Sequence, residues 1–319
     1  MPTDYDMIIV GAGPAGLTAG LYASRARVKT CCIERLSPGG QAALTARVEN
    51  YPGIEELITG LELCQRMERQ ARSFGLEIVR DEVQHLETSR EALDVQCASG
   101  LRRSRTIVVA SGANSAALGV PGEKEFFGKG VSYCATCDGP FFKDLDVAVI
   151  GGGDSALDEA LFLTRFCRRV YLVHRRAEFR AVKLLVERVA ASAKIELVLN
   201  AALEKILGAE GVESIEVRDR TAGIARRIPV SGVFLYVGLS PNTGFLPASV
   251  RTDQKGYVIT DEEMRTSVDC ILAAGDVRHK SLRQIATAVG DGALAAMSAV
   301  KRLESEKTAQ MKSEGGSIS

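Results

Sequence analysis

The chain contains the same strand–glycine turn–helix–strand pattern twice, and this repetition limits its possible folds more than any other feature. The first copy begins with MIIVGAGPAG (7–16) and ends with the strand VKTCCIE (28–34). The second begins with LDVAVIGGGDSA (145–156) and ends with RVYLVH (169–174). An apolar strand that runs into a glycine turn and a helix is typical of parallel sheets that bind dinucleotides. The repeat therefore predicts an α/β protein with two Rossmann-like nucleotide-binding domains.

Each glycine turn has the residues that a pyrophosphate requires. In the first turn Gly11 allows a tight bend, Gly13 lets the backbone approach the pyrophosphate, and Gly16 allows the helix to pack closely. The pyrophosphate then lies at the helix N-terminus, where backbone N–H groups are free. The residues assigned to nucleotide binding are Gly11, Gly13, Pro14, Ala15 and Gly16 in the first turn, and Gly151, Gly153, Asp154, Ser155 and Ala156 in the second.

The residue at the end of the second strand distinguishes the two nucleotides. In the first copy this residue is Glu34, whose carboxylate can accept hydrogen bonds from a ribose 2′-hydroxyl but would repel a 2′-phosphate. At the same offset the second copy has His174. Arg175, Arg176 and Arg180 follow it, and guanidinium groups attract a phosphate. We therefore predict FAD or NAD in the first site and NADPH in the second.

A buried strand near the C-terminus favours FAD in the first site. The segment CILAAGDV ends in Asp276, which is well placed to bind a ribityl hydroxyl. Arg283 and Gln284 open the last helix, whose N-terminal dipole favours negative charge on a reduced flavin.

Composition and charge exclude several classes of partner. Lys and Arg together number 40, as do Asp and Glu, so no net field favours nucleic acid or an anionic membrane. No apolar run approaches the ~18 residues of a membrane helix, and the N-terminus has acids where a signal peptide carries positive charge. We therefore expect a cytoplasmic protein that binds neither nucleic acid nor membrane. The tail 304–319 is polar and is expected to be frayed or disordered.

One pair among the eight cysteines has the spacing of a redox centre. Cys134 and Cys137 form a CxxC, which places two sulfurs within disulfide reach on the first turn of a helix. A helix N-terminus favours the thiolate, and Asp138 follows closely enough to donate or accept a proton. A zinc site is the rival interpretation, but three histidines and no second CxxC leave no obvious second ligand pair. No metal site is therefore predicted.

The chain resembles the low-molecular-weight thioredoxin reductases over about residues 5–300. The segments that carry the resemblance, by type, order and spacing, are GGQ, VENYPG, CATCDG, GGGDSALDEALFLT, VHRRAEFRA, and AAGDV with RQIATAVGDG. The resemblance implies a homodimer in which the NADPH domain is inserted into the FAD domain. It places the FAD domain at 1–113 and 246–319, and the NADPH domain with its CxxC at 114–245.

The resemblance also implies roles for individual residues. Cys137 would face the flavin, Cys134 would attack the partner disulfide of thioredoxin or a thioredoxin-like protein, and Asp138 would be the acid/base. Arg175 and its two neighbouring arginines would bind the 2′-phosphate. The FAD contacts would be completed by Gly39, Gly40, Gln41, Asn50, Val83, Ala110, Gly112, Gly275, Asp276, Arg283, Gln284 and Ile285.

Electrons would then pass from NADPH to FAD, to the cysteine pair, and to the partner by exchange. Since the nicotinamide and the CxxC cannot both lie against one flavin face, the resemblance implies a domain rotation at linkers near Gly112 and Pro241. Two alternatives remain open: an enzyme of the same fold with another electron donor, such as ferredoxin, or another acceptor; and a non-catalytic redox sensor that only holds FAD.

Overall fold

A computed structural model of the chain describes residues 3–45, 48–88 and 92–315, with side chains up to residue 309. The strands are β1 (Tyr5–Val10), β2 (Thr30–Glu34), β3 (Glu77–Arg80), β4 (Val83–Thr88), β5 (Leu93–Cys97), β6 (Gly100–Val109), β7 (Ala113–Ser115), β8 (Val131–Ser132), β9 (Asp146–Gly151), β10 (Arg169–Val173), β11 (Ile195–Val198), β12 (Ala201–Gly208), β13 (Val212–Asp219), β14 (Ala225–Pro229), β15 (Gly232–Tyr236), β16 (Leu239–Pro241) and β17 (Ile271–Ala273). The α-helices are α1 (Pro14–Arg25), α2 (Gly60–Ser73), α3 (Ala135–Asp138), α4 (Asp154–Leu163), α5 (Lys183–Ala190) and α6 (Ile285–Gly315).

The chain divides into two compact units. The discontinuous unit comprises Met1–Asn114 and Ser240–Ser319, and the inserted unit comprises Ser115–Leu239. The domain boundaries expected from the sequence follow residues 113 and 245. The nucleotide that each unit binds stays a prediction.

The discontinuous unit is built on a seven-stranded sheet. Its order is β3-β2-β1-β6-β5-β4, and β17 also pairs with β6. Strands β3, β2, β1, β6 and β17 run parallel, whereas β4 and β5 join as an antiparallel extension. Strand β1 is buried from Met7 to Val10, as expected for a strand covered on both faces. Helices α1 and α6 pack together against this sheet, with small residues such as Ala19, Ala295 and Ala299 in the core.

The inserted unit repeats this plan. Strands β11-β10-β9-β15-β8 form a parallel sheet, and β12-β13-β14 form a separate antiparallel one. The central strand β9 is buried from Val147 to Ile150. The prediction of a mixed α/β fold with two Rossmann-like domains is confirmed, since both units have a parallel sheet flanked by helices.

The predicted disorder of the tail is wrong for most of its length. Helix α6 continues to Gly315. The segment ESEKTAQMKSE is rich in good helix formers, and an ion pair of 2.6 Å between Arg302 and Glu306 spans one turn. Residues 316–319 lie outside the described part of the chain.

Candidate active site

A disulfide joins Cys134 and Cys137 at the carboxyl end of β8, with the two Cα atoms 5.3 Å apart. Cys134 is the N-cap of the short helix α3, and its Sγ accepts a hydrogen bond from the Cys137 amide at 3.2 Å. Cys137 is exposed and Cys134 is half-buried. Asp138 ends the helix, and its amide donates to the Cys134 carbonyl at 3.1 Å. The predicted pair is therefore present as a disulfide in which Cys137 is exposed and Cys134 is half-buried.

Two hydroxyl groups fix the backbone of this segment. The Cys134 amide donates to Ser132 Oγ at 2.9 Å, which is a local turn contact. The Ala135 amide donates to the Tyr236 hydroxyl, also at 2.9 Å. Because Tyr236 ends strand β15, which lies between β9 and β8, this hydrogen bond ties the redox segment to the sheet.

A carboxyl group that sequence reasoning missed lies behind the redox segment. Thr136, between the two cysteines, donates from Oγ1 to Glu159 Oε2 at 3.4 Å. Burial of Glu159, and to a lesser degree the field of Asp158, raises the pKa of its carboxyl to about 7. The sequence places Glu159 on a helix after a nucleotide turn but does not reveal that its side chain points to the CxxC.

The second glycine turn is closely packed at Gly151 and Gly152 and open at Gly153. A Cβ on Gly152 would overlap the His174 ring, whereas a Cβ on Gly153 would meet no atom within 4 Å. Gly153 is thus the position at which a pyrophosphate could approach the backbone. Asp154 Oδ1 accepts from the Val182 amide at 2.9 Å, so the segment after β10 lies over the start of α4. The predicted turn residues Gly151, Gly153, Asp154, Ser155 and Ala156 all lie at the junction of β9 and α4.

His174 is buried, whereas the arginines that follow it are exposed. The His174 ring is buried and stacks on Phe179 with centroids 5.4 Å apart. Burial lowers the pKa of His174, so the neutral ring is favoured, and Nε2 lies 3.1 Å from the Glu178 carbonyl oxygen. Neutral and buried, the ring supports the turn and adds no positive charge to it.

Arg175, Arg176 and Arg180 are exposed at this edge of the inserted unit. Among the described residues, no carboxylate forms an ion pair with these three guanidinium groups. The Arg180 amide donates to the Gly152 carbonyl at 2.8 Å, which holds the arginine segment against the glycine turn. A fourth arginine, Arg220, lies beside them, since its Nη1 is 3.5 Å from the Arg175 carbonyl oxygen.

The first glycine turn has the same division of roles. Gly11 has φ +100°, and a Cβ there would overlap the Ala110 carbonyl. A Cβ on Gly16 would overlap the Gly11 carbonyl, whereas Gly13 is open. Glu34 accepts from the Ala12 amide through Oε2 at 2.8 Å and from the Leu36 amide through Oε1 at 3.0 Å. Each carboxylate oxygen retains capacity for a further hydrogen bond.

The other predicted flavin residues gather around this turn. The Gly39 amide donates to the Ala12 carbonyl at 2.8 Å, and Asn50 Nδ2 donates to Gln284 Oε1 at 3.2 Å. Residues before Val83 reach the same region, because the Asp81 amide donates to the Glu34 carbonyl at 3.0 Å. The remaining members lie at the end of β6 or β17, in the 3₁₀ turn 40–44, or at the start of α6; they are Gly40, Gln41, Ala110, Gly112, Gly275, Asp276, Arg283 and Ile285.

Two buried polar atoms of this set lack a hydrogen bond in the described part of the chain, namely Asp276 Oδ1 and Arg283 Nε. Asp276 Oδ1 has Lys280 Nζ at 3.5 Å as an ion-pair partner, and burial raises the pKa of this carboxyl. The Arg283 guanidinium lies 4.0 Å from the centre of the Tyr257 ring. Buried polar atoms without partners are costly, so these two indicate a ligand with hydroxyl or ring polar groups.

Asp291 supports this corner and was missed from the sequence. Its Oδ2 accepts from the Gly275 amide at 3.0 Å and from Lys280 Nζ at 3.1 Å, and its Oδ1 pairs with Arg278 at 2.8 Å. An aspartate in the middle of an alanine-rich helix was the available sequence signal.

In the described ranges, no group of three or more His, Cys, Asp or Glu side chains could hold a metal ion. Within the same ranges, no helix is long and apolar enough to cross a membrane.

Comparison with known proteins agrees with this geometry. Residues 5–292 match the family described as pyridine nucleotide-disulphide oxidoreductase. A thioredoxin reductase from Treponema pallidum is 46% identical over 95% of this chain and 99% of its own length. A thioredoxin reductase from Listeria innocua is 47% identical over 96% of each chain. The crystal structure of Lactococcus lactis thioredoxin reductase superposes with a TM-score of 0.93 at 41% identity, covering 95% of this chain and all of the other.

The inserted unit carries a disulfide and a nucleotide turn, and the discontinuous unit carries a second such turn. The relatives match this chain over nearly its whole length. The chain belongs to the pyridine nucleotide-disulphide oxidoreductase family, and within it to the low-molecular-weight thioredoxin reductases.

Proposed function

We propose that this thioredoxin reductase takes electrons from NADPH, passes them through FAD to the Cys134–Cys137 disulfide, and delivers them to thioredoxin. Use of a flavin and a pyridine nucleotide follows from the family; the choice of FAD and NADPH and the residue roles are the proposal. The observation that carries it is the placement of an exposed disulfide and an arginine-lined nucleotide turn on one unit.

FAD fits the discontinuous unit. Glu34 would bind the adenosine ribose, because its carboxylate oxygens can accept hydroxyl hydrogen bonds. Asp276 Oδ1 and Arg283 Nε, which are buried and lack a hydrogen bond in the described part of the chain, would meet the ribityl chain and the flavin ring system. The open face of Gly13 would admit the pyrophosphate. Bound there, FAD would supply a two-electron carrier between the nicotinamide and the disulfide.

NADPH fits the inserted unit. Its pyrophosphate would lie against Gly153 at the start of α4. Its 2′-phosphate would be held by Arg175, Arg176 and Arg180, which are exposed and free of carboxylate partners in the described ranges.

The cysteines would act by thiol–disulfide exchange. Once the pair is reduced, the Cys134 thiolate attacks a sulfur of the thioredoxin disulfide, and one thioredoxin thiolate leaves. Cys137 then attacks Cys134, which restores the Cys134–Cys137 disulfide and releases the second thioredoxin thiolate. Asp138 would accept or donate the protons of the two thiols.

The first test replaces each cysteine by serine in the holoenzyme. We expect Cys134→Ser and Cys137→Ser each to abolish thioredoxin reduction but to retain FAD, because the flavin residues lie in the discontinuous unit. Cys137→Ser should trap thioredoxin as a mixed disulfide, whereas Cys134→Ser should not. Insulin reduction through thioredoxin measures the activity, flavin absorbance measures the retained FAD, and non-reducing electrophoresis detects the mixed disulfide.

Cys167→Ser is the matched control, since this buried cysteine has no disulfide partner. Normal turnover in either redox variant would refute the site. If only Cys134→Ser trapped thioredoxin, Cys137 would be the attacking cysteine and the proposed order would be reversed. The experiment can distinguish the two orders, and the greater exposure of Cys137 is the observation that favours the reverse one.

The resemblance further supports a homodimer in the cytoplasm. The six other cysteines are unpaired, as is usual in a reducing compartment. Light scattering of the purified holoenzyme would measure the assembly state.

A further inference from the structure

The Glu159 carboxyl lies beside the redox segment, on the neighbouring helix α4. Helix α4, which carries Glu159, packs against α3, and the Thr136 hydroxyl between the two cysteines donates to Glu159 Oε2 at 3.4 Å. This hydrogen bond from Thr136 links the Glu159 side chain to the middle of the CxxC. The proposed mechanism gives this group no role.

Few titratable groups act on this region. Asp158 of α4 raises the pKa of Glu159, as does burial, which has the larger effect. The Tyr236 hydroxyl of β15 is itself affected by both Glu159 and Asp138, and burial together with these two carboxylates raises its pKa. Strands β9 and β10 and helix α5 also pack on α4, but in the described residues none of their charged groups shifts the pKa of Glu159.

The protonation of Glu159 has a defined sign. Its pKa is raised to about 7, so its carboxyl is neutral below that pH and negative above it. Tyr236 stays neutral over this range because its own pKa is raised. Of these two groups beside the CxxC, only Glu159 therefore changes its charge between pH 6 and pH 9.

Reduction places negative charge in front of this carboxyl. On reduction the Cys134–Cys137 bond would break as the pair accepts two electrons, which a bound flavin would supply, and takes up one proton to give one thiol and one thiolate. A neutral carboxyl behind the sulfurs tolerates this thiolate, whereas an ionised carboxyl opposes it.

We propose that Glu159 is a positioning residue for the redox centre, which acts through Thr136 and makes the reduction equilibrium of the cysteine pair depend on pH. Its protonation favours the reduced pair of one thiol and one thiolate, and its ionisation favours the disulfide. The inference rests on the proposed redox role of Cys134 and Cys137.

The test compares the holoenzyme with Glu159→Gln, which keeps an oxygen that can accept from Thr136. Each protein is equilibrated with mixtures of reduced and oxidised dithiothreitol at pH 6 and pH 9, quenched with an alkylating agent and analysed by mass spectrometry. At pH 6 the two proteins should have equal equilibrium constants for reduction. At pH 9 the variant should be about tenfold easier to reduce, which corresponds to about 30 mV.

Glu187→Gln is the matched control, because it removes an exposed carboxylate from the neighbouring helix and should match the wild type at both pH values. Equal constants for Glu159→Gln and wild type at pH 9, or an equal shift at both pH values, would overturn the inference. Normal turnover in Cys134→Ser would instead overturn the proposed function.

If Glu159→Gln does not fold, the infrared difference spectrum between oxidised and reduced Asp138→Asn protein replaces it. Reduction near pH 7.5 should increase the absorption of a protonated carboxyl, because the new thiolate raises the pKa of Glu159 further. A spectrum without that band would equally overturn the inference.

Discussion

The three arginines after His174 are the residues on which the choice of NADPH over NADH should depend. Charge-assisted phosphate contacts contribute roughly 1.5–3 kcal/mol, and exposure to solvent reduces this. We expect Arg176→Ala to weaken NADPH binding about tenfold and to leave NADH binding unchanged. Isothermal titration at low and high salt would measure both, and the NADPH difference should shrink as salt rises.

Arg169→Ala is the control for this prediction, because Arg169 is also exposed but pairs with Glu196 at 3.2 Å. It should not change either affinity. Equal affinity of the wild type for NADPH and NADH would contradict the assignment of the arginines.

At the residue scale, spacing identified the candidate ligand-binding groups but not the side chains that support them. The CxxC, the open glycines and the arginines follow from fixed offsets within one turn. The packing of helices α4 and α6 brings Glu159 and Asp291 to their sites. Such contacts join residues at no fixed spacing along the chain, so a single sequence does not reveal them. His174 shows the converse, since its offset placed it at the end of β10 but its burial could not be read from the sequence.

Each nucleotide turn contains glycines of two kinds, and the second turn allows them to be separated experimentally. We expect Gly152→Ala to destabilise the inserted unit by about 1–3 kcal/mol, because the added methyl overlaps the buried His174 ring. We expect Gly153→Ala to keep wild-type stability and to lose NADPH affinity, because its methyl meets only the space that the pyrophosphate would fill. Urea unfolding and nucleotide titration of both variants would measure the contrast.

The outcome that contradicts this prediction is a Gly153→Ala protein with normal NADPH affinity. It would mean that the nucleotide does not approach this turn. A stable Gly152→Ala protein would show instead that the His174 ring can move without cost.

At the element scale, the parallel strands could be predicted because they are long apolar runs before glycine turns. The antiparallel strands of β12–β14 and of the β4–β5 extension lead into no nucleotide fingerprint that would mark their positions in the sequence. The end of α6 was missed because polar composition was interpreted as disorder, although the same residues favour a helix when they extend one that is already anchored by packing.

At the scale of the whole molecule, each unit has its own hydrophobic core. Two clusters of buried side chains lie within residues 126–235, one on each face of the inserted parallel sheet. Three others are made only of residues from the discontinuous unit. A unit with its own core and a continuous chain meets the ordinary conditions for independent folding.

We therefore predict that residues 115–239, produced alone, fold cooperatively. The two ends of this segment already meet, because the Ala116 amide donates to the Gly238 carbonyl at 2.9 Å, so excision leaves no long loop open.

The fragment should bind NADPH, since Gly153 and the arginines belong to it. Its Cys134–Cys137 disulfide should be reduced by dithiothreitol but not by NADPH, because the flavin residues belong to the other unit. Circular dichroism melting, titration with NADPH and thiol counting would test these three properties. A fragment that is unfolded would refute the independence of the unit, and one that is folded but does not bind NADPH would place the nucleotide site elsewhere.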